Sequence, residues 1–284
     1  MSLRPLLVFG RTGQVALALA RLVPDAIFLS RDQADLSNPD ACAQAIRDHA
    51  PRAVINAAAW TAVDAAESDE AAATIVNGAA PEAMARECAR LNLPFLSIST
   101  DYVFDGSGDQ PFAPDHPTAP INAYGRSKCA GEEAIFAAGG QTAILRTSWV
   151  FSADGANFLK TMLRLSESRD ALSVVEDQIG GPTPAEAIAR AALKITDAME
   201  AGQPGGIWHI AGRPYVSWAD FARWIFHCAG RDVAVTGIAS SGYPTPARRP
   251  LNSRLDCTTL ARDFALGQPD WKAEVRADIR RLLT

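Results

Sequence analysis

The chain has 284 residues, 48% of them hydrophobic, and a formal net charge of -5 with charges of both signs interspersed. That length suits one large domain, or one domain with a smaller lobe, and it buries a core without staples. The charge balance excludes a basic footprint for nucleic acid or an anionic membrane, which leaves a small molecule as the favoured partner. Five scattered cysteines, Cys42, Cys88, Cys129, Cys228 and Cys257, are odd in number and never spaced C-x-x-C, a pattern that fits a reducing compartment.

Met1 to Val23 is apolar, but Arg4, Arg11 and Arg21 interrupt it, and Gly10 and Gly13 break it where a signal peptide needs a continuous run. It reads as strand, turn and helix. No stretch reaches the length of a transmembrane helix, so the expected location is the cytoplasm. From residue 3 to about 147, short apolar runs (Leu3 to Phe9, Ala26 to Leu29, Ala53 to Asn56, Phe95 to Ser99, Thr142 to Arg146) alternate with segments of helical periodicity. Runs that are apolar on both faces and separated by helices predict an α/β fold, a Rossmann-like doubly wound parallel sheet with ligands at the carboxyl ends of its strands.

Beyond about residue 148 proline and glycine punctuate shorter elements, with amphipathic helices expected at 184 to 200, 217 to 229 and 272 to 283. The expected division is a dinucleotide-binding domain, 1–148, and a smaller C-terminal α/β substrate lobe, 149–284. Residues 184–212 have the option of returning to the sheet.

The first run leads into Gly10-Arg-Thr-Gly13-Gln-Val-Ala16, where Gly10 permits a tight turn, Gly13 lets backbone approach a pyrophosphate and Ala16 permits close helix packing. Gly10, Arg11, Thr12, Gly13, Gln14 and Val15 are therefore candidate cofactor ligands. After the second run stands Leu29-Ser30-Arg31, not the carboxylate that holds a ribose 2′-hydroxyl in NAD sites. A hydroxyl and a guanidinium suit a 2′-phosphate, with Arg11 as a second positive charge, so NADPH is preferred and NADH is the alternative. Asp35 and Leu36 are candidates for the adenine.

Tyr124 and Lys128 stand four residues apart in a helical segment, on one face and about 5–6 Å apart at their bases. A phenol of pKa about 10 beside an ammonium that stabilises its anion is suited to protonating an alkoxide. The acidic run Asp64, Glu67, Asp69 and Glu70 reads as a helix start, where carboxylates favour the dipole. His49, His116, His209 and His227 have no ligand-like spacing.

Gly10-Arg-Thr-Gly-Gln-Val15, Asn56-Ala-Ala-Ala-Trp-Thr-Ala-Val-Asp-Ala-Ala-Glu67, Ser99-Thr-Asp-Tyr-Val-Phe-Asp-Gly106, Tyr124-Gly-Arg-Ser-Lys128, Arg146-Thr-Ser-Trp-Val-Phe151 and Arg249-Pro-Leu-Asn-Ser-Arg254 occur in that order. Together they resemble the dTDP-4-dehydrorhamnose reductase family of extended short-chain dehydrogenases/reductases, from residue 5 to about 283. The resemblance implies NADPH-dependent reduction of a dTDP-4-dehydro-6-deoxy-L-hexose, the last step of dTDP-L-rhamnose synthesis. Thr100 would hydrogen-bond the C4 oxygen, Tyr124 would protonate it, and Lys128 would hold the nicotinamide ribose and lower the Tyr124 pKa. By the same likeness Asn56, Ala57, Ala58, Ala59 and Thr61 line the cofactor's phosphates and ribose, with Asn77 near the nicotinamide.

For the sugar nucleotide the resemblance points to Asp101, Val103, Phe104 and Trp149 near the deoxyhexose, and to Asn157, Arg249, Asn252 and Ser253 nearer the nucleotide. A flat indole suits a sugar face and an arginine a diphosphate; the plainer alternatives are a core tryptophan and a solvated loop charge. Some relatives hold Mg²⁺ at a dimer interface with three glutamates. Here Glu186 fits one position, but Ala18 stands in the first helix and the chain ends at Thr284 without an acidic tail. No metal ligand is therefore assigned, with Mg²⁺ and a homodimer left open. Ile179 replaces a frequent tyrosine and is expected to alter a wall of the sugar pocket. Competing readings are a nucleotide-sugar 4-epimerase or dehydratase, and a non-catalytic subunit like the regulatory subunit of methionine adenosyltransferase.

Overall fold

The computed structural model describes residues 4–283. The first half runs β1 (Leu6–Phe9), α1 (Gln14–Leu22), β2 (Ile27–Leu29), α2 (Pro39–His49), β3 (Ala53–Asn56), α3 (Val63–Ser68) and α4 (Glu70–Thr74). A π-helical turn (Ile75–Ala79), α5 (Ala80–Arg90), β4 (Phe95–Thr100), a 3-10 turn (Asp101–Val103), α6 (Ala123–Ala137) and β5 (Thr142–Thr147) follow. The second half runs β6 (Val150–Phe151), α7 (Phe158–Leu165), β7 (Ala171–Val175), β8 (Ile179–Gly180), β9 (Thr183–Pro184), α8 (Ala185–Glu200) and β10 (Gly206–Ile210). It continues through β11 (Val216–Ser217), α9 (Trp218–Ala229), β12 (Ala234–Ile238), β13 (Asn252–Ser253), α10 (Thr258–Phe264) and α11 (Trp271–Leu283).

Six parallel strands form the central sheet in the order β10-β5-β4-β3-β1-β2. The doubly wound Rossmann-like fold follows from strands such as Leu6–Phe9 and Ala53–Asn56 that are buried along their whole length and need cover on both faces. One face packs on α1 and α8 through Val8, Leu19, Ile188 and Ile195; the other packs on α2 and α5 through Leu7, Ile46, Val54 and Met84. β1 begins at Leu6, after Pro5, which has no N–H to give the ladder; Leu3 lies outside the described residues.

β10 pairs with β5 in parallel, and α8 before it covers the sheet beside α1, so residues 185–210 stand within the central sheet and its layers. A third core, of Phe151, Leu159, Phe221, Ile225 and Trp271, joins α7, α9 and α11 beneath the β7–β12 pair. No helix among the described residues is long and apolar enough to cross a membrane.

Candidate active site

The carboxyl ends of the sheet open into a cavity of about 860 Å³. The turn after β1 enters it with Gly10 at φ 110°, a conformation that favours glycine, and Gly13 precedes α1, whose first residues Gln14 and Val15 also line the cavity. Gly10, Arg11, Thr12, Gly13, Gln14 and Val15 line one wall; Ser30, Arg31, Asp35 and Leu36 line the end; Ala57, Ala58, Ala59 and Thr61 line the turn after β3. Ser30 Oγ donates to Gln33 Oε1 at 3.1 Å. Asp35 is held below the usual carboxylate range chiefly by accepting the Ser37 amide, with Arg31 adding to the effect.

Gln14 also ties this loop to the second half of the chain. Its Nε2 donates to Val150 O at 3.5 Å, while its Oε1 accepts from Ser152 Oγ at 3.0 Å and Asn157 Nδ2 at 2.9 Å. Asn157, which caps α7, consequently lies on the cavity wall beside the glycine loop.

Thr100, Tyr124 and Lys128 line the same cavity. Thr100 ends β4; its Oγ1 accepts from Tyr102 N and donates to Asp101 Oδ1, both at 3.2 Å. Asn122 caps α6 by accepting from Gly125 N at 2.7 Å, which sets Tyr124 in the first turn with its ring edge-on to Tyr102. Glycine is required at 125 because a Cβ there would lie 2.2 Å from Tyr102 O. Lys128, one turn on, is buried and donates from Nζ to Ile98 O at 2.7 Å.

The net shift at Tyr124 is upward, because burial outweighs what lowers it. Burial pushes the phenol up to about 12, Thr100 opposes this, and the nearby Asp101 adds to it. Lys128 is turned to the Ile98 carbonyl, and burial pulls its own pKa down to about 8 against the opposing charge of Glu132. Glu132 in turn makes a buried bidentate pair with Arg146, whose Nη1 donates to Pro114 O and to His209 Nε2. Burial pushes the Asp101 carboxyl up to about 7, with Ser253 and Thr100 opposing.

Three buried polar atoms on this cavity's residues, Ser99 Oγ, Asp101 Oδ2 and Thr147 Oγ1, have no hydrogen-bond partner among the described residues. A second cavity, of about 1190 Å³, adjoins the first: Tyr102 and Trp218 line both. Its wall includes Arg249, paired with Asp64 at 2.8 Å, together with Arg169, Arg248, Gln178 and the Ser240–Ala247 loop.

Several residues named from the resemblance do not line either cavity. Val103 and Phe104 are fully buried, Phe104 stacked on Phe112 at 4.4 Å beneath the Arg146 guanidinium, because the 3-10 turn after Thr100 folds them into a core. Asn56 shapes the turn after β3 by accepting from Ala58 N, and Asn77 spends its amide on Trp60 N, Trp60 O and Ser127 Oγ. Asn252 is buried and donates to Ser107 O and Gln110 O; Ser253 is buried against Asp101. Ile179, expected to alter a pocket wall, is instead in β8, where its backbone pairs with Ser217 and Asn252; its neighbour Gln178 lines the second cavity.

Trp149 does line the first cavity, and its ring stacks on Trp218. Trp218 and Tyr102 were not singled out from the sequence; Tyr102 lies within a quoted motif, whereas nothing local marks Trp218. The acidic run is only partly about helix starts. Asp69 caps α4, but Asp64 reaches Arg249, Glu67 accepts from Ala123 N and Glu70 pairs with Arg126. Among the described residues no cluster of three or more His, Cys, Asp or Glu could hold a metal ion; Glu186 pairs with Arg190 and Ala18 is buried, so these residues do not fit a three-glutamate magnesium site.

Residues 4–284 match the model of the family described as RmlD substrate binding domain. The chain is 43% identical over 288 residues to the dTDP-4-dehydrorhamnose reductase of Sinorhizobium fredii, covering 98% of this chain and 97% of that protein. Among solved structures, a dTDP-4-dehydrorhamnose reductase from Clostridium acetobutylicum superposes with a TM-score of 0.93 at 33% identity, covering 99% of this chain and 100% of that one. One from Bacillus anthracis, in complex with NADP, superposes with a TM-score of 0.89 at 29% identity over 99% of both chains. A glycine-turn cavity that also holds threonine, tyrosine and lysine, and a match that spans nearly the whole chain, lead to one conclusion: the chain belongs to the dTDP-4-dehydrorhamnose reductase family.

Proposed function

We propose that this chain reduces the C4 ketone of dTDP-4-dehydro-β-L-rhamnose to the alcohol of dTDP-β-L-rhamnose, using NADPH. The observation that carries the reading is that Thr100, Tyr124 and Lys128 share one cavity with the glycine turn, while a second cavity adjoins it at Tyr102 and Trp218. NADPH, when bound, supplies the hydride. The glycine turn and the start of α1 would hold its phosphates, Ser30 and Arg31 its 2′-phosphate, and Lys128 the ribose. The complex of the Bacillus anthracis relative with NADP supports this choice of dinucleotide.

As hydride reaches C4, negative charge develops on the ketone oxygen and must be neutralised. Tyr124 keeps its proton across the neutral range, since burial raises the phenol to about 12, and it passes that proton to the oxygen. Thr100, beside it, orients the same oxygen. The Lys128 ammonium stabilises the phenolate left behind. Trp149 would face the deoxyhexose, and Arg249 would lie toward the diphosphate. In this proposal residues 1–148, with the returning 184–212, hold the cofactor, and the remainder of 149–284 holds the sugar nucleotide.

The test is NADPH oxidation by purified protein given dTDP-4-dehydro-β-L-rhamnose, with and without EDTA. Tyr124→Phe should bind NADPH as before and lose about 10²- to 10⁴-fold in rate, the range for a positioned general acid. Full activity in that variant would sink the mechanism.

A further inference from the structure

Trp149 leaves β5 with φ at 49°, a left-handed conformation that a bulky residue adopts only where its surroundings hold it. Two neighbours hold it. On one side the indole lies against Gly180, where a Cβ would come within 2.6 Å of Trp149 Cε2, so no larger residue fits behind the ring. On the other side the Trp218 ring stacks on it, with centroids 3.6 Å apart and planes 11° from parallel.

Trp218 is fixed independently. It is the first residue of α9, whose cap is Ser217, and Phe158 packs on it at 4.6 Å. Its Nε1 donates to Gln178 Oε1 at 3.2 Å, Gln178 Nε2 donates to Ser240 Oγ at 2.9 Å, and Ser240 Oγ donates to Asp177 Oδ1 at 2.6 Å. Trp149 Nε1, by contrast, has no acceptor among the described residues. One indole is therefore anchored by its nitrogen, and the other keeps its donor for a ligand.

Resting on the function proposed above, we propose that Trp218 is a positioning residue for the reduction: it clamps the Trp149 indole against Gly180 at the junction of the two cavities and thereby sets affinity for the sugar end of the substrate. It takes no part in proton transfer. The clamp needs a flat face at 218, and no side chain at 180.

The test combines kinetics with circular dichroism: neighbouring indoles couple their transitions, and the part of the wild-type spectrum that Trp218→Ala removes is the couplet of this pair, apart from that of Trp224 and Trp271. Trp218→Ala should raise the KM for the sugar nucleotide about tenfold, with kcat and the NADPH Kd each within about twofold. Trp218→Phe, which keeps a flat ring, should restore most of the KM. Gly180→Ala keeps both indoles but displaces Trp149, so it should lose the couplet and show the raised KM. An unchanged KM in Trp218→Ala, or a couplet retained in Gly180→Ala, would overturn the clamp. Equal losses of NADPH and sugar-nucleotide affinity would also overturn it, since Trp218 would then be general support. Should the wild-type protein turn over no dTDP-ketosugar, the proposed function falls, and the couplet in Gly180→Ala still decides the clamp.

Discussion

The two adjoining cavities are walled in different ways. The first takes most of its residues from short turns that each follow a strand of one parallel sheet, 10–15 after β1, 30–36 after β2, 57–61 after β3, 100–102 after β4 and 147–150 after β5, and adds Tyr124 and Lys128 from α6, Asn157 and Trp218. The second is gathered from distant segments, among them Asp64, Tyr102, helix α7, strand β7 and the 240–251 loop. Its pieces are joined by single side chains: Asn252 to Ser107 and Gln110, Asn122 to Arg248, Asp64 to Arg249. The first is thus fixed mainly by backbone topology, with Gln14 as its long-range tie, and the second by long-range polar contacts.

A change at the first cavity should therefore act mainly on chemistry and cofactor, and a change at the second on substrate capture. Lys128→Met gives the largest expected effect. It should lower kcat/KM by about 10²- to 10⁴-fold and also weaken NADPH binding, read by steady-state rates and fluorescence titration. Undiminished NADPH binding would confine Lys128 to the proton.

Two ion pairs sharpen the comparison. Glu132→Gln leaves Arg146 buried without its partner and should cost about 3–5 kcal/mol in denaturant unfolding. Arg249→Ala breaks a half-exposed pair and should cost about 0–1 kcal/mol, while raising the KM for the sugar nucleotide. A large loss of stability with no change in KM would place Arg249 among the supports instead of the substrate contacts.

Arg31→Asp should move the NADPH-to-NADH preference by about tenfold toward NADH, since a carboxylate repels a 2′-phosphate and accepts from a 2′-hydroxyl. An unchanged ratio removes Arg31 from cofactor choice. The smallest expected effect is in the pH profile. Lys128 carries its charge below about pH 8, so kcat/KM should fall as pH rises through that value. Glu132 favours the charged form, and Glu132→Gln should therefore shift the alkaline limb to lower pH. A limb unmoved in a folded variant would assign it to another group.

The same contrast explains what the sequence disclosed. Strands and the glycine turn were legible because burial on both faces writes an unbroken apolar run and a tight turn writes glycine. Phe104 and Asn252 stand in motifs as recognisable as that of Tyr124, yet one is core and the other a strap, because a motif does not say which way a side chain points. The net rise of the Tyr124 pKa was not legible in the Tyr–Lys spacing, since spacing reports a neighbour but not the burial around it. Trp218 was invisible because its role exists only once α9 folds back to Trp149.

The bonds of Gln14 to Val150, Ser152 and Asn157 have a consequence for redesign. A glycine loop transplanted from another dehydrogenase to change the coenzyme would cut these bonds unless it carried an amide at position 14. The segment beginning just after Trp149 would lose its tie to the glycine loop, though its pairing with β9 and the Asp154 ion pairs would remain. On the roles proposed above, a graft that changes the coenzyme also touches the segment beside Trp149, and one that keeps the glutamine keeps the tie.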